Sequence, residues 1–409
     1  MLWGYVIGAD VGIKFYNGRF LGVYAYGNYP HITFFEADTN LNIIWKRTYT
    51  SADTTFRWGG SARVKGIYMD DNGYIYTIYV GRMPPYYFDY PVVLKFDTLG
   101  NLIWWKLYNW DNVETRFAYK IPSNLIKNGL IVGGAVYPEG WDTTWKSHMA
   151  VMKIDTSGGV VWAKTYGRDV RILGFAASVV PTDSIGSGYY LIGAESDLIL
   201  GRLDANGNQI WFKKYISSDY IAPALNSTTI VGDKLIFGSG DGSAYNLIKI
   251  DTTGIPHMRK YIQPYTLVEA DLDRWEWRGG YIYAQFRLVA FDTNFNLLRD
   301  TAINRARVLE NLGGWYVARR SHLGGYTILK VNSSLQTCDD TITKEYIYTV
   351  SATMPSVIDY TDSLIIMDWT TRINTINIPF LEVLPDTITF EPYCSIKITE
   401  NLKEPKSKT

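Results

Sequence analysis

One phrase recurs along this chain and limits the folds that it can adopt. An alternating apolar strand ends at an acidic residue, a turn such as Asp-Thr-x-Gly-Asn follows, and a second strand carries a tryptophan and a tyrosine. The first residue of the turn falls at Asp38, Asp97, Asp155, Asp204, Asp251, Asp292 and, in the last copy, Asn332. The first four copies carry the aromatic pairs Trp45 and Tyr49, Trp104 and Tyr108, Trp162 and Tyr166, and Trp211 and Tyr215. A fixed phrase of this kind indicates a repeat architecture.

Each copy predicts a β-hairpin. The aspartate can accept hydrogen bonds from backbone N–H groups of the turn, and glycine or asparagine tolerates a positive φ there. A turn and an apolar strand precede each hairpin, as in NGYIYTIYVG from Asn72, and one more strand precedes that. Four short antiparallel strands recurring about every 40 to 60 residues are typical of β-propeller blades. The repeated tryptophan is then expected to pack between neighbouring blades.

The number of copies predicts the domain organisation. Seven turns predict an all-β propeller of seven four-stranded blades over residues 1–338. Closing such a ring is expected to leave no exposed sheet edge. Residues 339–409 keep a β pattern but lack the phrase, so they form either a C-terminal β extension or a degenerate eighth blade with a polar tail.

Composition and charge exclude several classes of protein. The 409 residues are 47% hydrophobic, which is enough for a large core, and 40 basic residues balance 40 acidic ones without a run of like charge. We therefore expect no nucleic-acid partner. No apolar run is long enough to predict membrane insertion. The N-terminus lacks a signal-peptide pattern, so a mature secreted form, an intracellular protein and a virion protein all stay open; we predict an extracellular or cell-surface location.

Cysteine and histidine are too few for a predicted metal site. Cys338 and Cys394 are the only cysteines, and the four histidines fall at unrelated positions of the repeat. The two cysteines form either one disulfide around the C-terminal segment or two buried thiols, and we favour the disulfide.

The repeat resembles a known family of propeller repeats. The phrase apolar-x-Lys-x-Asp-Thr-x-Gly-Asn-x-x-Trp-x-Lys-x-Tyr is similar to repeats common in secreted prokaryotic proteins, including surface proteins of thermophilic archaea. It also resembles the tryptophan-docking repeats of pyrroloquinoline-quinone enzymes and of outer-membrane assembly scaffolds. The resemblance covers residues 1–338 and implies the fold more than the function. The quinone-dependent dehydrogenases would imply adjacent cysteines, an eight-bladed ring and a calcium site, and this chain has no adjacent cysteines. We expect no cofactor.

Loop length supplies the predicted binding site. The early repeats are longer than the late ones, and their insertions fall in the connections that emerge on one face of a propeller. These insertions carry the predicted binding residues Trp58, Tyr86, Tyr87, Trp110, Trp141 and Trp145, with Asp89, Asp111 and Asp142 among them. Such loops on a rigid ring suit recognition of a protein or a glycan. The alternative is that the rings fold down and seal the loops onto the ring.

Two enzymatic alternatives compete with a binding or scaffold protein. Asp271 and Asp273 could form the carboxylate pair of a polysaccharide hydrolase or lyase. Arg274 and Arg278 stand beside them, which favours ordinary ion pairing. The other alternative is a quinone-dependent dehydrogenase. We predict no catalytic residues and a non-enzymatic binding function.

Overall fold

A computed structural model describes most of the chain. The described residues are 3–7, 10–16, 18–25, 31–53, 55–58, 66–82, 90–110, 114–116, 123–137, 148–168, 178–194, 197–217, 223–231, 233–240, 245–263, 275–278, 281–284, 287–304, 306–311, 315–320, 326–331, 348–377, 380–383 and 391–395. Side chains within some of these strands are not described.

Seven antiparallel sheets contain the described strands, and the first four follow one another along the chain. Strand β1 (Trp3–Ile7) precedes them. Sheet 1 contains β2 (Asp10–Tyr16), β3 (Arg19–Ala25), β4 (His31–Ala37) and β5 (Ile43–Ser51). Sheet 2 contains β6 (Arg57–Trp58), β7 (Gly66–Met69), β8 (Ile75–Arg82), β9 (Tyr90–Phe96) and β10 (Leu102–Trp110). Sheet 3 contains β11 (Glu114–Arg116), β12 (Ser123–Ile126), β13 (Gly129–Tyr137), β14 (His148–Asp155) and β15 (Val160–Gly167). Sheet 4 contains β16 (Ser178–Pro181), β17 (Gly188–Ala194), β18 (Leu198–Asp204) and β19 (Gln209–Ile216).

The remaining three sheets complete the series. Sheet 5 contains β20 (Pro223–Val231), β21 (Lys234–Gly240), β22 (Tyr245–Asp251) and β23 (Pro256–Gln263). Sheet 6 contains β24 (Trp275–Arg278), β25 (Tyr281–Ala284), β26 (Arg287–Phe291) and β27 (Leu297–Asn304). Sheet 7 contains β28 (Ala306–Asn311), β29 (Trp315–Arg320) and β30 (Tyr326–Val331), and β1 from the N-terminus pairs with β30 as its fourth strand.

Contacts between successive sheets close them into a ring. The contacting strand pairs are β2 with β7, β7 with β12, β12 with β16, β16 with β20, β20 with β24, β26 with β28, and β28 with β2. Sheet 7 therefore meets sheet 1, and β1 fastens the last sheet with the first strand of the chain. The predicted all-β propeller fold is the fold that the described residues adopt.

The predicted turn chemistry is confirmed. Asp97 Oδ1 accepts hydrogen bonds from the backbone nitrogens of Leu99 and Asn101 at 2.9 and 2.8 Å, and Asp97 Oδ2 accepts one from Asn101 Nδ2 at 2.7 Å. Gly100 in this turn has a φ of 77°. These contacts satisfy the free donors of the turn and direct the chain back into the next strand.

The described strands from Tyr348 onward form a strap along the outer edges of the ring. Its six strands are β31 (Tyr348–Ser351), β32 (Ser356–Asp359), β33 (Ile365–Asp368), β34 (Ile373–Ile376), β35 (Phe380–Val383) and β36 (Glu391–Ser395). They pair, in that order, with the outer strands of sheets 5, 4, 3, 2, 1 and 7. We call residues 348–395 the C-terminal strap.

The sequence predicts either a C-terminal β extension or a degenerate eighth blade for residues 339–409, and the described strands of the strap are a β extension and not a blade. They do not form an appended sheet of their own, because each one adds to the edge of a different existing sheet. Ring closure alone would leave the fourth strand of every sheet with an open outer edge, and the strap covers six of those edges. The predicted boundary at residue 338 stays a prediction, as does the disulfide, because Cys338 lies outside the described residues while Cys394 lies in β36, opposite Gly4 of β1.

Candidate functional site

Repeated tyrosines join each sheet to the turn of the next one. The hydroxyl of Tyr108 donates a hydrogen bond to the carbonyl oxygen of Gly158 at 3.0 Å, and both groups are buried. Equivalent bonds run from Tyr49 to Gly100, from Tyr166 to Gly207 and from Tyr215 to Gly254. Burial raises the pKa of the Tyr49 hydroxyl to about 12, so it stays a protonated donor at neutral pH. The tyrosine of the phrase is therefore a structural link between sheets.

Repeated tryptophans pack against the same turns. The ring of Trp162 lies so close to Gly207 that a Cβ there would come within 2.7 Å of it. Trp45, Trp104 and Trp211 stand in the same relation to Gly100, Gly158 and Gly254. The turn glycine thus serves two purposes, a positive φ and room for the neighbouring indole. The prediction that this tryptophan packs between blades is confirmed.

Basic residues complete these four junctions. Lys106 Nζ donates to the carbonyl oxygen of Ser157 at 3.0 Å, and Arg47 Nε donates to that of Leu99 at 3.1 Å. Lys213 Nζ donates to the carbonyl oxygen of Thr253 in the same way, whereas Lys164 Nζ donates to the side-chain oxygen Oδ1 of Asn208 in the next turn. The Trp-x-Lys-x-Tyr half of the phrase therefore binds the Asp-turn half of the following copy.

One position of the repeat departs from the pattern in sheet 1. The second residue before the turn aspartate is Lys95, Lys153, Arg202 or Lys249 in the next four sheets, but Glu36 in sheet 1. Lys95 Nζ reaches the carbonyl oxygen of Thr156 at 3.1 Å. Glu36 instead accepts hydrogen bonds from Arg19 Nη1 at 2.7 Å and from Trp45 Nε1 at 2.5 Å.

A cavity of about 270 Å³ adjoins this substituted junction. Leu21, Met69 and Ile75 form apolar parts of its wall, and Arg19, Glu36 and Thr98 form polar parts. Glu36 is buried, whereas the Arg19 side chain is 56% exposed. Since Arg19 already neutralises Glu36, the cavity presents no unbalanced charge for a ligand.

Trp110, which the sequence predicts to bind a ligand, is instead a buried packing residue. It is fully buried in β10 and packs at 6.0 Å, between ring centroids, from Trp369 of the strap. The sequence placed it in a loop after the repeat, but pairing of Trp110 with Ile373 extends β10 through this residue. Its indole supports the strap and cannot meet an external ligand.

The other predicted binding residues lie at or beyond the ends of described strands. Trp58 belongs to β6, where its backbone pairs with Gly81 near the end of β8. Tyr86, Tyr87, Trp141 and Trp145 lie outside the described residues, as do Asp89, Asp111 and Asp142. The strands that flank these four aromatic residues end at Arg82 and Tyr137 and resume at Tyr90 and His148.

The candidate catalytic carboxylates and the histidines do not come together in one site in the described part of the chain. Asp271 and Asp273 lie outside it. His257 contacts the turn residue Asp251, with 2.7 Å between Nε2 and Oδ2, and His148 is buried in sheet 3. Among the described residues there is no group of three His, Cys, Asp or Glu side chains suited to a metal ion, and no helix long and apolar enough to span a membrane.

A docking motif in the strap was missed from the sequence. β33 ends at Asp368 and is followed by Trp369 and Thr370, and β32 ends at Asp359 and is followed by Tyr360 and Thr361. Trp369 and Tyr360 are 1% and 6% exposed, because each ring enters the gap between two sheets. The sequence signal is the Asp-aromatic-Thr triplet, which occurs twice at a nine-residue spacing. This spacing is much shorter than the blade repeat, so a search for blades does not find it.

Comparison with known proteins supports no family assignment. No protein-family model matches the chain, and no curated protein matches it in sequence. Among solved structures, a Dos1 propeller is 11% identical with a TM-score of 0.45, and it covers 81% of this chain and 80% of its own. The AfRom2 CNH domain is 8% identical with a TM-score of 0.44, covering 80% and 95%. Prolyl oligopeptidase B from Galerina marginata is 13% identical with a TM-score of 0.46, covering 86% of this chain and 51% of its own. Likenesses of this size carry no functional argument.

Proposed function

We propose that this chain is a seven-bladed propeller that acts as a non-enzymatic binding or scaffold protein. One observation carries the proposal: the repeated aromatic and basic residues are engaged in contacts between sheets, as the Tyr108 and Trp162 junctions illustrate. Specific recognition must therefore come from residues outside the repeat. The aromatic insertions of sheets 1 to 3 are the largest such set in the sequence.

The proposed recognition surface comprises Trp58, Tyr86, Tyr87, Trp141 and Trp145. Two short extra strands lie beside the strand ends that precede these insertions, because β6 pairs with the end of β8 and β11 pairs with the end of β13. Both strand ends lie away from the Asp turns, so the loops that follow them leave the same end of neighbouring sheets. Aromatic rings with interleaved carboxylates suit the faces of sugars or an apolar hot spot on a protein.

An extracellular or virion surface is the proposed setting, and descent from the secreted prokaryotic propeller repeats is the proposed origin. The support for this setting is the resemblance of the repeat phrase to repeats of secreted and cell-surface proteins. The same resemblance supports the origin.

A glycan array tests the proposal. The full chain and a Trp141→Ala/Trp145→Ala variant are applied to immobilised glycans and polysaccharides, with Leu99→Ala as a control at an exposed turn side chain. We expect the aromatic variant to lose binding by more than about tenfold while its melting temperature stays unchanged. The control should bind as the unsubstituted chain does.

Three outcomes would contradict the proposal. A large fall in the melting temperature of the aromatic variant would assign the rings to packing, and unchanged binding would move recognition elsewhere. Release of reducing sugar that stops in an Asp271→Asn/Asp273→Asn variant would favour the polysaccharide hydrolase instead.

A further inference from the structure

The strap docks onto sheet 3 through one compact module. The backbone nitrogen of Trp369 donates to the carbonyl oxygen of Ala163 at 2.8 Å, and the nitrogen of Ala163 donates to Thr370 Oγ1 at 3.1 Å. Asp368 Oδ1 accepts the backbone N–H of Thr370 at 2.8 Å and so fixes the turn. The edge residue Ala163 thus has both its backbone groups satisfied by two consecutive strap residues, and a third residue fixes their turn.

A second module repeats these contacts on sheet 4. The backbone nitrogen of Tyr360 donates to the carbonyl oxygen of Phe212 at 2.8 Å, and the nitrogen of Phe212 donates to Thr361 Oγ1 at 3.0 Å. Asp359 Oδ1 accepts the N–H of Thr361 at 3.0 Å. Two edges therefore recognise the same Asp-aromatic-Thr segment by the same geometry, which is the mark of a reusable binding site and not of an accidental contact.

The two gaps differ in which aromatic ring they fit. In the sheet 3 module, Trp369 Nε1 donates to Thr165 Oγ1 at 3.1 Å beside Trp110. In the sheet 4 module, Arg168 Nη1 donates to the hydroxyl of Tyr360 at 2.6 Å. The sheet 3 module therefore suits an aromatic ring that donates a hydrogen bond, and the sheet 4 module suits a ring that accepts one.

Each module is also a separate unit of binding. The strands β32 and β33 pair with one edge each, over four residues, and the backbone and threonine hydrogen bonds of each triplet go to that same edge. The hydroxyl of Tyr360 in addition accepts its bond from Arg168, which follows the last strand of sheet 3. Backbone pairing with an exposed edge and a pocket for one side chain is the way in which extended peptides add to sheets. Nothing in these contacts requires the peptide to belong to the same molecule.

We propose that the outer edges of sheets 3 and 4 are peptide-binding sites for a short strand that ends in an Asp-aromatic-Thr turn, and that the strap of a second copy of this chain can occupy them by strand exchange. A second copy is the fitting partner because it carries the identical segment, already complementary to both edges. Exchange of an identical element between copies forms the same contacts and needs no new surface. This site is independent of the aromatic loops proposed above.

A peptide in trans tests the binding site. A labelled peptide spanning residues 354–377 is titrated into the full chain and into a full-length Tyr360→Ala/Trp369→Ala variant, whose own strap is weakened. We expect the peptide to bind the variant more than about tenfold more tightly than the unsubstituted chain, in which the resident strap competes. A peptide with both aromatic residues replaced by alanine should bind the variant more than about tenfold more weakly.

Hydrogen exchange makes both negative results decisive. If Ala163 and Phe212 amides lose protection in the variant and the peptide still does not bind, the edges are not peptide sites. If these amides stay protected, the aromatic residues do not hold the strap, and the proposed recognition is equally wrong.

Mixed refolding tests the second copy. Two preparations of the full chain with different fluorescent labels are unfolded together and refolded over a range of concentrations. We expect a dimer with energy transfer whose fraction rises with concentration and falls in a Trp369→Ala variant. Monomers at every concentration, or a dimer that Trp369→Ala leaves unchanged, would overturn strand exchange.

Discussion

The ring and the strap solve the same packing problem by different means. In the ring, an indole such as that of Trp162 lies on one sheet and covers the turn of the next. In the strap, Trp369 arrives from a separate strand and fills the gap between sheets 2 and 3 from outside. Both rely on an Asp-capped turn beside the aromatic ring. The comparison shows that a junction between two wedge-shaped sheets has an inner and an outer part, which different stretches of the chain fill.

Within the ring, the junctions also differ among themselves. Trp211 of sheet 4 faces Gly254, whereas the equivalent pair between sheets 5 and 6 is Met258 and Phe295. Phe295 is fully buried and keeps the positive φ of the glycine, at 57°. At these two repeat positions a side chain smaller than tryptophan is thus paired with one larger than glycine.

The outer part of a junction should show the largest single effect. Trp369→Ala removes a fully buried ring between two sheets, and we expect a loss of about 3 to 5 kcal/mol in the free energy of unfolding. Urea denaturation measures it. Leu381→Ala, also in the strap but 56% exposed, is the control and should lose less than about 1 kcal/mol. Equal losses would show that the strap contributes through its backbone alone.

The inner part is tested by a glycine pair. Gly207→Ala places a methyl group at a φ of 74° and against Trp162, while Gly18→Ala meets a similar φ of 80° with nothing within 4 Å. Both should lose about 1 to 2 kcal/mol from the left-handed backbone, and Gly207→Ala about 1 to 3 kcal/mol more from overpacking. Denaturation of the two variants side by side measures the difference. Identical losses would mean that the indole moves aside freely.

Removing one side-chain hydrogen bond measures what the strap's side chains contribute beyond its backbone pairing. Thr370→Val keeps the shape of the side chain but leaves the N–H of Ala163 without its acceptor, so we expect a loss of about 1 to 3 kcal/mol. Thr371→Val, at the exposed neighbouring residue, should stay within about 0.5 kcal/mol of the unsubstituted chain. Thermal and urea unfolding would reveal it. A neutral Thr370→Val would remove threonine from the docking motif.

The turn aspartates of the ring predict that the free energy of unfolding depends on pH. The hydrogen bond from the Asn42 side chain is the chief cause that lowers the pKa of Asp38, and the pKa values of Asp97, Asp155 and Asp204 are also lowered by turn hydrogen bonds that outweigh their burial. Their contribution is complete above the unfolded pKa of about 4 and is lost as pH falls through the lower folded values. The free energy of unfolding, measured between pH 2 and 7, should fall below about pH 4. Its slope against pH should be shallower in Asp97→Asn. An unchanged slope would show that the turn does not depend on the charge.

The sequence predicted the elements that depend on local chemistry. Asp97 and Gly100 specify a tight turn through side-chain capping and positive φ, and both act as expected. Trp162 was assigned to packing for the right reason. The strap was not predicted as such, since its strands are four or five residues long and carry no hairpin turns between them. Trp110 was misassigned because the strand that extends over it comes from Ile373, far along the chain.

The sequence by itself determined the repeating unit, because capped turns and alternating strands are encoded within about 20 neighbouring residues. It also determined the inner junctions, since each copy of the phrase carries both halves of the contact. Only the tertiary structure decided where β1 and the strap lie. Their partners are edges that exist only after the ring has assembled, so no local pattern can name them.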